Sequence, residues 1–429
     1  MAGTSFSRLS TANSYDNALR NLQTRQTALA NLQENLTSGK RVVVASDDPT
    51  GAAQAERSLT RMSRIAADQR ALEAQRNSIT QAEGTLGDIT DALQNFRELM
   101  VSAGNGSHTP AERKTIALQL TGLREQILSY SNRKDTNGLP LFGALASGPV
   151  PIQGPQSTDP DYSFDGLPGQ RVSNEVAIPF TLDGDSAFMH QTARDGVYNV
   201  TLSTIPTGRT LQTDNVKVTD PTLVTQSKYV ITIDSVVPGT TLGTSTATYS
   251  IAEVPATDPA FPKGPLTVVD YPSNKPVSIP INDTFNGPGN GLPGLSFTIT
   301  GTPAAGDTIT VDPSPSIFSV MDDAIRDLGG AANTNAATQA VSQALHNIDI
   351  GMERISAVRG QAGDLLNRAD RITDNQSKRS VQLEADRSRA EDLDMIKGVA
   401  DFQNQQTGYQ AALQSYAQVQ KLSLFNYIS

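Results

Sequence analysis

The residues whose chemistry could support catalysis or metal binding are few and poorly grouped. Asp47-Asp48-Pro49 sets two carboxylates side by side, as an acid-base pair or a divalent cation would require. An acid directly before a proline also caps a helix. The carboxylate accepts the free amides of the first turn, lies at the positive end of the helix dipole, and precedes a residue preorganised for the first helical position. Capping is the simpler role for Asp47, Asp48 and Pro49. Asp183-Gly184-Asp185 lacks the remaining acidic ligands of a calcium loop and reads as a turn. His108, His190 and His346 have no second histidine at ligand spacing, so neither a zinc site nor a histidine-based triad is expected. Gly287-Pro288-Gly289-Asn290-Gly291 has neither the lysine nor the strand-to-helix setting of a phosphate loop. The chain has no cysteine, which removes disulfides, thiolate ligands and a cysteine nucleophile. We assign no catalytic residue, no metal and no cofactor, and expect a protein that is not an enzyme.

What the sequence does contain is long helical periodicity. In the stretch Ala12 to Gly39, Tyr15, Leu22, Leu29 and Leu36 fall seven residues apart, with Leu19 and Leu32 beside them. Such a stripe seeks a partner helix. Its counterpart lies at the other end of the chain, where Phe402, Tyr409 and Tyr416 keep the same step beside Val399 and Leu413. Gln26, Gln33, Gln406 and Gln420 stand where a self-sufficient coil would carry Leu or Ile, so the seam is thin. Either the two ends form a hairpin within one molecule, or neighbouring copies complete the stripe; the glutamines favour the second. Between these ends the repeat is denser. Ile65, Leu72, Ile79, Leu86, Leu93 and Met100 are each seven apart, with Ala82, Ile89, Phe96 and Ala103 three residues further on. Val341, Ile348, Ile355, Ala362 and Ala369 supply a matching row.

Punctuation fixes the boundaries. Gly39 suits the left-handed position after a helix, Arg41 to Val44 reads extended, and a helix about 80 Å long restarts at Asp48-Pro49. Thr109-Pro110-Ala111-Glu112 has the form of a capping box, and Asn137-Gly138 that of a hairpin turn. Of 24 prolines, 22 lie between Pro140 and Pro315, where Tyr198-Val200-Leu202, Tyr229-Ile231-Ile233, Leu295-Phe297-Ile299 and Ile309-Val311 alternate as strands do. Helix returns near Ile317, and a break between Asn375 and Ser388 is expected before a capping box at Ser388 to Glu391 opens the last helix. The fold class is therefore mainly α with a β insertion: a long antiparallel helical coiled-coil rod built from both chain ends, with a Pro/Gly-rich β domain in the middle. The domains expected are a terminal coiled-coil assembly domain of residues 1–40 and 385–429, a helical rod domain of 41–140 and 316–384, and a β-rich outer domain of 141–315.

Charge narrows the partners. The net charge is −10, and residues 140–315 hold 7 basic and 16 acidic residues, leaving the helical ends nearly neutral. An acidic middle argues against nucleic acid. No run approaches the 18 apolar residues of a spanning helix, so no membrane insertion is expected. Met1 to Ser10 has neither a basic n-region nor an apolar h-region, which points away from a cleaved secretory signal.

Three stretches resemble the flagellin superfamily, and within it the hook-filament junction subunits. Leu36-Thr37-Ser38-Gly39-Lys40-Arg41 followed by Ala45-Ser46-Asp47-Asp48-Pro49 is similar to the signature between terminal helix and rod. Gly301 to Val311 leading into Ser316-Ile317-Phe318 resembles the β-to-helix return of hook-associated proteins. Ala411 to Tyr416, then Leu422-Ser423-Leu424-Phe425-Asn426-Tyr427-Ile428, is similar to the junction subunits' tail rather than flagellin's. The likeness covers roughly 1–145 and 300–429; residues 146–300 are read from pattern alone.

The resemblance implies an extracellular structural subunit of the bacterial flagellum, exported without a cleaved signal peptide. It would join a first hook-filament junction protein to flagellin by homo-oligomeric assembly of its terminal helices, with an export chaperone on the C-terminal helix as a further possible partner. The assembly interface expected comprises Tyr15, Leu19, Leu22, Leu29, Leu32, Leu36, Phe402, Tyr409, Leu413, Tyr416, Leu424 and Phe425, and the domain-junction turn Gly39, Asp47, Asp48 and Pro49. The alternatives are a flagellin of the filament and a surface adhesin acting through the β insertion.

Overall fold

A computed structural model describes residues 4–428 apart from 158–159, 204–210, 257, 285–286 and 288; the side chains of 4–12, 14, 147 and 419–428 also lie outside the description. The chain forms two compact units, one of residues up to Arg70 with those from Arg371 onward, the other Ala71–Asp370.

Helices α1 (Thr4–Ser38) and α8 (Met395–Ile428) belong to the first unit, as do the opening turns of α2 (Pro49–Ala103) and the end of α7 (Thr334–Glu391). α1 stops where Gly39 takes a φ of 71°, a conformation that costs a side-chain-bearing residue far more than glycine. α2 starts at the Pro49 that follows Asp48. The break expected between Asn375 and Ser388 is absent, and α7 runs unbroken to Glu391. That stretch contains no glycine or proline, and a Ser-x-x-Glu spacing fits the inside of a helix as well as its start. The actual cap of α8 is Asp394, whose Oδ1 accepts from the amides of Ile396 and Lys397 at 3.1 and 3.2 Å. Arg41 to Val44 forms no strand either. Only Lys40 pairs, with Asp392, and the Asp47 carboxylate gathers the Val43 and Val44 amides into a turn.

In the second unit the dense repeat is core. Leu72, Ile79, Leu86, Leu93 and Met100 of α2 are buried, with Ala82, Ile89, Phe96 and Ala103, and so are Val341, Ile348, Ile355, Ala362 and Ala369 of α7. The two helices run antiparallel here: Arg76 faces Asp370, Glu83 faces Arg359, and Arg97 faces Asp349. Each fully buried Leu, Ile or Phe contributes about 1.5–3 kcal/mol, so this row accounts for much of the helices' stability. α3 (Pro110–Ser131) begins with a complete capping box between Thr109 and Glu112 and packs on α6 (Ile317–Gly329). Asn137-Gly138 forms the tight turn, with Gly138 at a φ of 80° and Lys134 bridging Pro140.

The hairpin β1 (Ala146–Gln153) and β2 (Ser163–Leu167) and the short helices α4 (Gly184–Phe188) and α5 (Thr192–Asp195) pack against the helices. Phe142, Tyr162, Phe188 and Phe318 stack in one aromatic cluster, and the Tyr162 hydroxyl donates to Asp322 of α6 at 2.6 Å.

The remaining strands build a sandwich. One sheet has the antiparallel order β3 (Tyr198–Leu202), β11 (Thr308–Pro313), β6 (Lys228–Pro238), β7 (Thr244–Val254), β8 (Lys263–Pro272). The other centres on β10 (Leu295–Gly301), which pairs with β4 (Leu211–Thr213), β5 (Lys217–Val218) and β9 (Val277–Ile281). Alternate residues of both sheets, among them Tyr229, Ile231, Ile309, Ile279, Phe297 and Ile299, meet in one core, which is the period-two alternation turned inward.

Candidate assembly interface

The site is the α1–α8 pair and the turn that closes it. At the turn, the residues that follow α1 lie against the end of α7. The Arg41 amide donates to the Glu391 carbonyl at 2.7 Å, and the Leu393 amide to the Gly39 carbonyl at 2.9 Å. Lys40 forms an ion pair with Glu391. Arg41 Nη2 reaches both the Ala390 carbonyl at 2.8 Å and Asp48 Oδ2 at 3.1 Å. Asp48 Oδ1 accepts from the Gly51 amide at 3.0 Å, the Thr50 amide at 3.1 Å and the Thr50 hydroxyl at 2.7 Å. Those bonds, led by Gly51 and Thr50 and followed by Arg41, hold the Asp48 carboxyl down to about 2. The carboxylates of Asp47 and Asp48 are thus each spent on backbone amides, and Pro49 opens α2. A side chain at Gly51 would stand 2.7 Å from Asp48 Oδ2 and 3.1 Å from the Ala390 carbonyl, so the close approach needs glycine.

α1 and α8 run antiparallel. Leu36 lies beside Gly398, Arg25 beside Gly408, and the rings of Tyr15 and Tyr416 are 5.5 Å apart. Gly398 is buried against Leu36 and Leu393, whose side chains would have to shift to admit a larger residue. The inward row of α8 is Gly398, Phe402, Gln405, Tyr409, Ala412 and Tyr416, which alternates four and three residues as a helix seam must. Its mate on α1 is Ala18, Leu22, Leu29, Leu32 and Leu36. Among the described side chains of α1 none is fully buried, and in this row of α8 only Gly398 is.

Of the residues singled out from sequence, Leu22, Leu29, Leu32, Leu36, Phe402, Tyr409 and Tyr416 lie half-buried in the seam. Tyr15, Leu19 and Leu413 stay 44, 38 and 42% exposed, and Val399 is 43% exposed. The side chains of Leu424 and Phe425 lie outside the described residues. Arg41, Asp394 and the two glycines of α8 were not singled out. A signal for Arg41 existed in its place beside Gly39; none marks Gly398 and Gly408, since close approach is a property of the pair. Among the described residues no helix is long and apolar enough to cross a membrane.

Residues 9–146 match the bacterial flagellin N-terminal helical region, and residues 345–428 the bacterial flagellin C-terminal helical region. The flagellar hook-associated protein 3 of Escherichia coli (strain K12) is 32% identical over 153 residues, which covers 34% of this chain and 46% of that protein. The chain spans about half the length of the curated relatives it matches. Among solved structures, the flagellar hook-associated protein 3 of Legionella pneumophila superposes with a TM-score of 0.59 at 24% identity, over 77% of this chain and 97% of that one. The flagellar junction protein FlgL of the same organism gives a TM-score of 0.54 at 24% identity, over 73% and 98%. At these identities the structures establish the fold. Together the two terminal matches, which fall on the helices that pair at either end, place this chain in the flagellin family.

Proposed function

We propose that the chain is a structural subunit of the bacterial flagellum, an adaptor that joins a hook-side junction protein to the flagellin filament by self-assembly of its terminal helices. The observation that carries this reading is the α1–α8 pair. Its inward side chains are only half-covered, and Tyr15, Leu19, Val399 and Leu413 remain open to solvent. An apolar seam left this bare is completed by neighbouring copies. In this scheme α2 and α7 form the coiled-coil rod, the acidic sandwich faces outward, and no catalysis is involved. Export would proceed without a cleaved signal peptide, with a chaperone covering α8 beforehand.

Leu413→Asp tests it. The side chain is exposed in the single molecule, so the purified variant should keep its melting temperature within about 1 °C of the parent, as surface changes do. It should nevertheless fail to restore filaments to a strain lacking the protein, which would retain hooks and release flagellin into the medium. Filaments restored to normal length by the variant would contradict the proposal.

A filament flagellin is the second reading, favoured by the matched families themselves. Purified subunits that extend into long filaments on their own would establish it. An adhesin would depend on the sandwich. The Val197 carbonyl and the Ser314 amide are 3.1 Å apart, so the sandwich can be excised with a short linker, and an adaptor should still bear filaments without it.

A further inference from the structure

The chain enters the sandwich through residues 189–197 and leaves it through 313–316, and the two passages are bonded to each other. Met189 bridges Ser316, the His190 amide donates to the Pro315 carbonyl at 2.8 Å, and the Ser314 amide donates to the Val197 carbonyl at 3.1 Å. This neck joins sandwich to helices, and the imidazole of His190 lies inside it. Both ring nitrogens are buried and neither meets hydrogen-bond geometry with a described residue; the Ser314 carbonyl is the acceptor beside the ring.

The groups around the ring leave little room for a proton. Asp195 on α5 is the carboxylate that acts on the ring, but it is already engaged by Arg194 through Nε and Nη2 at 2.8 and 2.7 Å and by the Gln191 amide at 2.9 Å. Arg354 of α7 places Nε 3.8 Å from the same carboxylate and donates through Nη2 to the Ser186 carbonyl at 2.8 Å. Asp183 caps α4 and Asp185 lies in its first turn, and Asp323 of α6 meets the Ser314 hydroxyl at 3.5 Å. A histidine taken out of water without partners is held neutral.

We propose that His190 is an acid-operated latch on this neck: protonating its ring opens the crossing of residues 189–197 over 313–316 while the sandwich and the helices stay folded. The inference concerns the joint within one molecule and stands apart from the assembly role. Burial is the main cause holding His190 down to about 4, with Arg194 and Arg354 adding to it and Asp195 and the Ser314 carbonyl opposing. In the open neck the ring returns to its ordinary value near 6.5. The closed neck is therefore fully favoured above pH 6.5 and loses that preference as pH falls from 6.5 to 4. Opening should rise up to tenfold per pH unit, or about 80-fold between pH 6.5 and 4. Burial raises Asp185 and pushes Asp323 up to about 7. Those carboxyls favour the fold on acidification, so the latch must be read as a difference between variants.

The test uses the full chain labelled with 15N-histidine. Only three histidines are present, so His108→Gln and His346→Gln assign the spectrum, and a titration from pH 8 to 4 reads His190 directly. The latch predicts that His190 stays neutral to below pH 5. Hydrogen exchange, corrected for intrinsic rates, should show residues 186–197 and 312–318 opening progressively below pH 6.5 while α2 and the sandwich strands stay protected. His190→Gln should remove that progression. A His190 midpoint near 6.5, or equal pH slopes in parent and variant, would overturn the proposal. Should the glutamine variant fail to fold, His190→Asn provides the comparison, and the titration alone remains decisive.

Discussion

The chain uses one seven-residue grammar twice, with opposite outcomes. In α2 and α7 within the second unit, Leu72, Ile79, Leu86, Leu93 and Met100 and the facing Ile348, Ile355 and Ala362 are buried, and ion pairs flank them. In α1 and α8 the same step carries Leu22, Leu29, Leu36, Phe402, Tyr409 and Tyr416, yet these are half-buried. Periodicity makes the helix in both places. What separates a finished core from an unfinished one is the number of apolar rows: the inner helices add a second row and the helix α6, whose Ile317 lies against Gly351 of α7 with α3 packed on α6, whereas the outer pair has one row each, with Gln405 in it. A single row leaves its side chains half-open to water.

That contrast can be broken in order of effect. Leu86→Asp, in a position with no exposure, should cost more than about 4 kcal/mol and leave no cooperative unfolding transition, because an unpaired carboxylate would be buried. Leu86→Ala should cost about 2–5 kcal/mol by urea denaturation. The matched change Leu22→Ala in the seam should cost about 1 kcal/mol or less, since water already reaches that side chain. Equal costs at the two sites would erase the distinction. Asp48→Ala should lower the melting temperature slightly, as the loss of a cap does, and should speed exchange at Thr50 and Gly51.

The smallest effect is one of pH. Asp48 is held at about 2 against an ordinary 3.8, first by the Gly51 amide and then by Thr50 and Arg41. A depressed carboxyl favours the fold above the unfolded value and loses that contribution as pH falls from 3.8 to 2. The site is solvent-exposed and screened. The loss should therefore appear as faster exchange of the Thr50 and Gly51 amides below pH 3.8, and Asp48→Asn should flatten it.

Much of this was legible in the residues. Gly39, Asp48-Pro49 and Thr109 to Glu112 punctuate the helices because their conformational preferences act locally, within one turn. The strand segments were legible by alternation, but the order β3-β11-β6-β7-β8 was not, because which strand lies next to which is decided by contacts distant along the chain. The false break before Ser388 shows the limit of a capping spacing that a helix interior also satisfies. Leu413 and Val399 sit beside the seam rather than in it, whereas Phe402, Tyr409 and Tyr416 face α1. His190 has no second histidine at ligand spacing, and its burial at the neck carries no sequence signal.

The most direct measurement is hydrogen exchange of the purified chain at nanomolar to micromolar concentration, compared with the same chain assembled on hooks. The account predicts that residues 15–38 and 395–418 exchange orders of magnitude faster than 79–100 and 348–369 in dilute solution, and become protected on assembly. Terminal helices as protected in the isolated molecule as the inner ones would contradict it.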